Sequence, residues 1–296
     1  MKTNNLLLID GDHMLHRAYH QFGGFTSAEG APSSMIFGFP YILRRMLVKF
    51  EPQIVIACFD GNRHEDRLAV LPTYKQREPR EDFDHEAFSA QKQDMMKLLG
   101  FMGVHVAYKK GQEADDLIYM ATRLYPEFNI IIVSSDKDFH QLIDERVSVF
   151  SPSKESLLTP RNLQRQFNYT PEQVVDYLIL DGDKSDKIPG FPGMGPKRIA
   201  AFLHDYGSIR NYLDKSRINP HLRGPNREQL VSIYKRNRTL IDLRYFWRKF
   251  NKRTKLPLLK EYPYFNMIEI AMVARKYNTK TLVRTDFITT FKEIGK

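Results

Sequence analysis

Nine carboxylates in this chain are spaced in a way that suits the binding of divalent cations. Three apolar runs each end in an acid: LLLID in Asp10, IVIACFD in Asp60 and IIIVSSD in Asp136. Asp138 follows two residues after Asp136. Glu113, Asp115 and Asp116 stand together in GQEADDL, and Asp183 and Asp186 lie three apart in GDKSD. Carboxylates gathered in one place repel, and some must take up protons unless cations lie between them. An all-oxygen donor set suits Mg²⁺ or Mn²⁺ better than zinc. Each acid alone has a plainer reading. An Asp after a strand is ordinarily a turn former or helix cap, and acids in a first helical turn complement its positive end. Three strand-terminal acids in one chain are harder to explain that way.

The elements that must position these acids are legible from periodicity. Short β-rich runs recur at Asn5–Ile9, Gln53–Phe59, Val104–Tyr108, Asn129–Val133 and Val147–Phe150. Most are continuously apolar, as in strands covered on both faces. Helical patterns lie between them, over Ser34–Phe50, His85–Leu99 and Ala114–Leu124. The last carries Leu117, Met120, Ala121 and Leu124 at helical spacing. Strands alternating with helices predict an α/β fold with a central, mainly parallel sheet and flanking helices. In such a sheet, ligands bind beyond the carboxyl ends of the strands, where the acids fall.

The stretch Gly61–Asp84 interrupts this alternation; it is long, charged and contains Pro72 and Pro79. Few apolar residues are available to hold it down. After Thr159 the chain reads as helical. A turn-rich hairpin at Gly190–Gly195 precedes a helix from Pro196 to His204, with proline at the first helical position. The stretch from Arg223 to Lys260 is basic, with Tyr234, Tyr245, Phe246, Trp247 and Phe250 interleaved. Such aromatics can stack on bases, but core residues beneath charged outer faces are the commoner arrangement.

Of the chain's 35 acidic residues nine fall in the motifs above, and the remaining 26 face 45 basic ones. A basic body with local acidic clusters suits a polyanion such as nucleic acid. A single cysteine, Cys58, excludes a disulfide framework. No apolar run approaches the ~20 residues of a membrane helix, and no charged leader precedes one. The expectation is a soluble, cytoplasmic protein.

The motifs LLLIDGDHMLHRAYH, CFDGNRHEDRLAVLPTYKQR, GQEADDL, VSSDKDFHQLI and GDKSDKIPGFPGMGPKRIAAFL, in unbroken order over residues 5–204, resemble the flap endonuclease/5′→3′ exonuclease family. The likeness is to phage 5′ nucleases and to the 5′-nuclease domain of bacterial DNA polymerase I, here in a stand-alone form. It is faint beyond Gly207. The resemblance implies a PIN-like nuclease core over 1–180, with an arch or clamp at about 61–84 that passes a 5′ strand. It implies a helix–hairpin–helix element and a basic helical region over 181–296. It assigns Asp10, Asp60, Glu113, Asp115, Asp116, Asp136, Asp138, Asp183 and Asp186 to a two-cluster metal site. It further assigns Arg17 to a phosphate contact, Lys75 to the role of active-site lysine and Tyr74 to a place near the scissile nucleotide. Arg77 or Arg80 would take the arch arginine role. Gly193, Gly195 and Lys197 would meet the duplex backbone, with K⁺ held by hairpin carbonyls. Asp12 departs from the pattern, standing where relatives often carry a small hydroxyl residue; Lys187 stands where Asn is common.

The reaction so implied is phosphodiester hydrolysis with two or more divalent ions, about 3.5–4 Å apart. Lys75 and Arg17 would counter charge on the phosphoryl oxygens. The substrates implied are DNA with 5′ flaps, nicks or free 5′ ends, with RNA–DNA hybrids a further candidate, acted on by a monomer. Two rivals share some of the motifs. Asp10-Gly11-Asp12 and Gly182-Asp183 through Asp186 mimic an aspartate-nucleophile phosphatase, although EADDL and DKD have no place there. A nucleic-acid-binding protein with a purely structural metal is the other.

Overall fold

The computed structural model describes residues 4–27, 30, 32–76, 84–218, 224–250, 255–259 and 263–294. Its strands are β1 (Asn5–Asp10), β2 (Ile54–Phe59), β3 (His105–Tyr108), β4 (Asn129–Val133), β5 (Val147–Ser151), β6 (Ser156–Leu158), β7 (Gly182–Asp183) and β8 (Ile188–Pro189). Its α-helices are α1 (Gly11–Gln21), α2 (Ser34–Phe50), α3 (Glu65–Val70), α4 (His85–Phe101), α5 (Ala114–Leu124), α6 (Pro160–Phe167), α7 (Val174–Asp181), α8 (Pro196–Tyr206), α9 (Ile209–Ile218), α10 (Arg227–Ile241), α11 (Leu243–Phe250), α12 (Met267–Lys276) and α13 (Thr285–Lys292). The strands and helices expected from periodicity fall within one or two residues of these bounds. None of the helices is long and apolar enough to cross a membrane.

The chain divides into two compact units, and neither is one run of sequence. The first comprises 1–61, 78–135 and 255–296. Its strands lie in the order β3-β2-β1-β4, all parallel. Leu6, Leu7, Leu8 and Ile9 are wholly buried, so β1 is covered on both faces, which is why its sequence lacks a polar alternation. In the register Ile9 pairs with both Ala57 and Val133, and Asp10 with Cys58. The carboxyl ends of the three central strands are therefore level. The segment after Lys255 belongs to this unit. Leu258 bridges Ala107 at the β3 edge, and Leu259 N–H donates to the Val106 carbonyl at 2.8 Å. Farther on, Asp94 of α4 accepts from Lys276 Nζ at 2.6 Å and from Tyr277 Oη at 2.7 Å.

The second unit comprises 62–77 and 136–254. It holds the antiparallel β5–β6 pair, the small β7–β8 pair and helices α6 to α11, with α3 packed on α10. The expectation that little holds the Gly61–Asp84 stretch down is corrected for its described part. Arg67 of α3 is 1% exposed, and its guanidinium lies 3.9 Å from the Phe246 ring centroid, with His64 edge-on to the same ring at 4.8 Å. Arg63 Nη1 donates to the Tyr74 carbonyl at 2.9 Å. A desolvated cation–π contact is worth about 2 kcal/mol, and the buried aliphatic stem adds packing. Arg67→Ala is expected to lower stability by roughly 2–3 kcal/mol, read as a reduced midpoint in urea. An unchanged midpoint would show that this stack contributes nothing. Phe246 is wholly buried, and Arg238 lies 4.3 Å over the Tyr245 ring, so these aromatics serve the interior and its charged cover.

Candidate functional site

The first unit gathers five of the nine acids. Asp10 ends β1 and caps α1, its Oδ1 accepting from His13 N–H at 3.1 Å; its Oδ2 accepts from Ser134 Oγ, just past β4, at 2.8 Å. Asp60 follows β2. Its Oδ1 accepts from Ala114 N–H at 2.7 Å, which sets it beside the start of α5. Glu113 is the N-cap residue of α5, and Asp115 and Asp116 are in its first turn. Glu113 and Asp116 are buried, at 2% and 1% exposure. The chain achieves this juxtaposition through Gly61. Its N–H donates to the Gln112 carbonyl at 2.7 Å, and its carbonyl accepts from Gly111 N–H at 2.5 Å. A β-carbon at Gly61 would collide with the Lys109 carbonyl, so only glycine lets the two loops approach this closely. Burial, and then the carboxylates of Asp10 and Asp115, push the Cys58 thiol up, so those acids lie close enough to act on the end of β2. Arg17 is half-buried on α1, seven residues beyond Asp10.

The second unit gathers the other four acids with Lys75. Asp136 caps a 3-10 helix, Lys137–Leu142, accepting from Asp138 N–H at 2.9 Å. Asp183 Oδ1 accepts from Ser185 N–H at 2.7 Å, Ser185 Oγ at 2.6 Å and Asp186 N–H at 3.2 Å. Burial, reinforced by the carboxylates of Asp136, Asp186 and Asp183, raises Asp138 well above the usual carboxylate range, with Lys75 opposing. Burial works in the same direction on Asp183, but its hydrogen bonds from Ser185 and Asp186 and the charge of Lys137 hold it below that range. Lys75 N–H donates to the Asp186 carbonyl at 3.0 Å, and its Nζ lies 3.9 Å from Asp186 Oδ2. The Nζ also lies 5.4 Å from the centroid of the Tyr74 ring, which is 2% exposed and so serves Lys75 as a buried support. Lys75 and Lys187 both take left-handed backbone conformations, with φ of 50° and 60°. That region favours Asn among non-glycine residues, which gives a physical reason for Asn at the position Lys187 holds here.

The structure adds several residues around these acids. Lys137, lying between two of the acids, pairs with Asp181 at 3.4 Å and Asp183 at 3.8 Å. Asn237 is wholly buried and donates through Nδ2 to the Ile179 and Pro189 carbonyls at 3.0 Å each, bracketing the Asp183–Asp186 loop. Gln141 Nε2 donates to the Asp138 carbonyl at 2.8 Å and the Ile241 carbonyl at 3.1 Å. The spacing DKD was a signal for Lys137. Asn237 and Gln141 had none, since their partners are remote in sequence.

The hairpin forms as expected. Gly193 has φ of 76°, Gly195 is the N-cap of α8 with Pro196 next, and Lys197 is exposed on the first turn. Arg198 Nη1 donates to the Gly193 carbonyl at 2.9 Å. Arg77 and Arg80 lie outside the described residues.

The donors suit a divalent ion in chemistry. They are all oxygen, Asp138 is raised by burial and then by its acidic neighbours, and Asp60 Oδ2 accepts from no donor among the described residues. Among the described residues no three acids, cysteines or imidazoles are grouped closely enough to hold an ion as they stand.

Two family models cover most of the chain. The 5′-3′ exonuclease N-terminal resolvase-like domain matches residues 5–174, and the 5′-3′ exonuclease C-terminal SAM fold matches residues 169–244. The chain belongs to the 5′-3′ exonuclease family. It is a 5′ nuclease of DNA, and the aspartate-nucleophile phosphatase is set aside. Consistent with that, Asp183 lies in the two-residue strand β7 directly after helix α7 and not at the end of a strand of the parallel sheet. A 5′-3′ exonuclease of Aquifex aeolicus is 32% identical over 215 residues, 72% of this chain and 73% of that protein. A thermostable DNA polymerase I of Thermus aquaticus is 32% identical over 258 residues, 86% of this chain but only 29% of that protein. In fold, the chain resembles a bacteriophage T5 flap endonuclease solved with DNA and metal ions, with a TM-score of 0.68, 21% identity and 99% of each chain covered.

Proposed function

We propose that this member of the family cleaves phosphodiesters at 5′ flaps, nicks and free 5′ ends of DNA, with Mg²⁺ or Mn²⁺ as cofactor, in the cytoplasm and as a monomer. The observation that carries this reading is the conjunction of Lys75 with Asp136, Asp138, Asp183 and Asp186, in which a lysine is tied through both backbone and side chain to a carboxylate group. Asp10, Asp60, Glu113, Asp115 and Asp116 would hold divalent ions in the first unit, and the four later acids would hold them in the second. When bound, such ions lower the pKa of a water and neutralise the leaving oxygen. The chain's own residues do the rest. Lys75 presents an ammonium to the phosphoryl oxygens from a fixed backbone. Arg17, on α1 of the first unit, would make a phosphate contact. Tyr74 holds Lys75 from below. Gly193 and Gly195 turn the chain into α8, where free N–H groups meet a duplex phosphate and Lys197 adds charge. The Gly193 carbonyl already accepts from Arg198, so a K⁺ at this hairpin would be held by its other carbonyls.

End-labelled flap, nicked and blunt duplexes, with an RNA–DNA hybrid as a further arm, test this reading in Mg²⁺ and in EDTA. Release of 5′ products in Mg²⁺ alone is the expected result, and equal cleavage in EDTA would overturn it. Lys197 has a separate signature. Lys197→Ala is expected to weaken duplex binding alike for every sequence and to reduce the salt slope by about one. Unchanged affinity and slope would place Lys197 outside the interface.

A further inference from the structure

The first-unit acids are accompanied by a lysine–aspartate pair that the reaction does not itself require. Asp12 lies in the first turn of α1, two residues beyond Asp10, at the position where the family resemblance expects a small hydroxyl residue. Its Oδ2 accepts from Asp60 N–H at 2.6 Å. Its Oδ1 meets Lys92 Nζ of α4 at 2.5 Å, and both side chains are mostly buried, at 16% and 18% exposure. Lys92 Nζ also donates to the Asp60 carbonyl at 3.0 Å. The pair thus grips the peptide groups on both sides of one α-carbon, that of Asp60. Asp60 Oδ1 is fixed separately by Ala114 N–H at 2.7 Å, which leaves Oδ2 available to a ligand.

We propose that Asp12 and Lys92 form a positioning clamp that sets the Asp60 carboxylate for the metal. The clamp rests on the reading of Asp60 as a metal ligand. A hydroxyl at position 12 could accept from Asp60 N–H but carries no charge to offset a lysine. A lysine at 92 without Asp12 would leave an ammonium, stripped of water, beside a carboxylate that must receive a cation. The two residues therefore belong together. Each compensates the other's charge, and the pair adds no net charge to the acid group. Buried partners of this kind act as one unit, so removing one leaves the other's burial uncompensated. Residues that orient a metal ligand typically contribute 10–100-fold in metal affinity or activity.

The test is a two-by-two comparison of the full-length protein with Asp12→Ala, Lys92→Met and the double variant. Mn²⁺ binding is followed by electron paramagnetic resonance without DNA, and kcat and KM are measured on a flap duplex. Asp12→Ala is expected to weaken Mn²⁺ binding about tenfold or more and to lower kcat while KM stays within about twofold. The double variant is expected to lose no more than Asp12→Ala alone, because the uncompensated ammonium is gone. Asp12→Asn, which keeps an acceptor for Asp60 N–H at the same size, is expected to recover part of the loss. It also replaces Asp12→Ala if that variant melts early. Unchanged Mn²⁺ affinity in Asp12→Ala, or losses that simply add in the double variant, would overturn the clamp. Asp60→Asn serves as the control. If it alone keeps full Mn²⁺ affinity and cleavage, the ligand assignment beneath the clamp is what fails.

Discussion

Asp60→Asn and Asp136→Ala are each expected to cut the cleavage rate by about a thousandfold or more, near 4 kcal/mol of transition-state stabilisation, with the fold intact. The two acids represent the two units. Asparagine is chosen at 60 because its carbonyl oxygen still accepts from Ala114 N–H, so the contact at 2.7 Å survives while the charge is lost. At 136 the substitution removes the cap bond to Asp138 N–H, worth about 1 kcal/mol. A loss of activity far above that cost cannot come from the cap. Circular dichroism melts of both variants separate the two effects. A folded Asp136→Ala protein that cleaves at the parental rate would remove Asp136 from the metal ligands.

Lys75→Ala carries the second large effect, a fall in kcat of about 100–1000-fold with KM for flap DNA little changed. The lysine backbone is held in a left-handed conformation with its N–H on the Asp186 carbonyl, and its Nζ faces the acids from above Tyr74. This placement aims charge where it grows on a phosphoryl group and contributes little to ground-state affinity. Lys75→Arg is expected to restore only a small part, since a planar guanidinium cannot occupy the same point above the ring. Single-turnover rates at saturating enzyme isolate the chemical step. A Lys75→Ala protein with normal single-turnover rates but weaker binding would reassign the lysine to substrate capture.

The sequence by itself determined the strands, their mainly parallel sheet and the acids that follow them. Burial on both faces demands an uninterrupted apolar run, and each run in LLLID and IVIACFD stops where the sheet stops. It also determined the α8 hairpin, because Gly193, Gly195 and Pro196 are the residues its backbone needs. These are local constraints, written within a few residues of where they act.

Only the tertiary structure decided which segments fold together. Arg67, one of the charged residues of the Gly61–Asp84 stretch, is buried against Phe246, whose place 179 residues later no local pattern announces. The segment after Lys255 reads as a basic tail, yet it closes the β3 edge and pairs with α4. Asp12 reads as a departure from a motif until Lys92, 80 residues away, arrives beside it. In each case the deciding term is desolvation. A charged side chain is costly to bury alone and acceptable beside its partner, and the partner is supplied by the fold rather than by the neighbouring sequence.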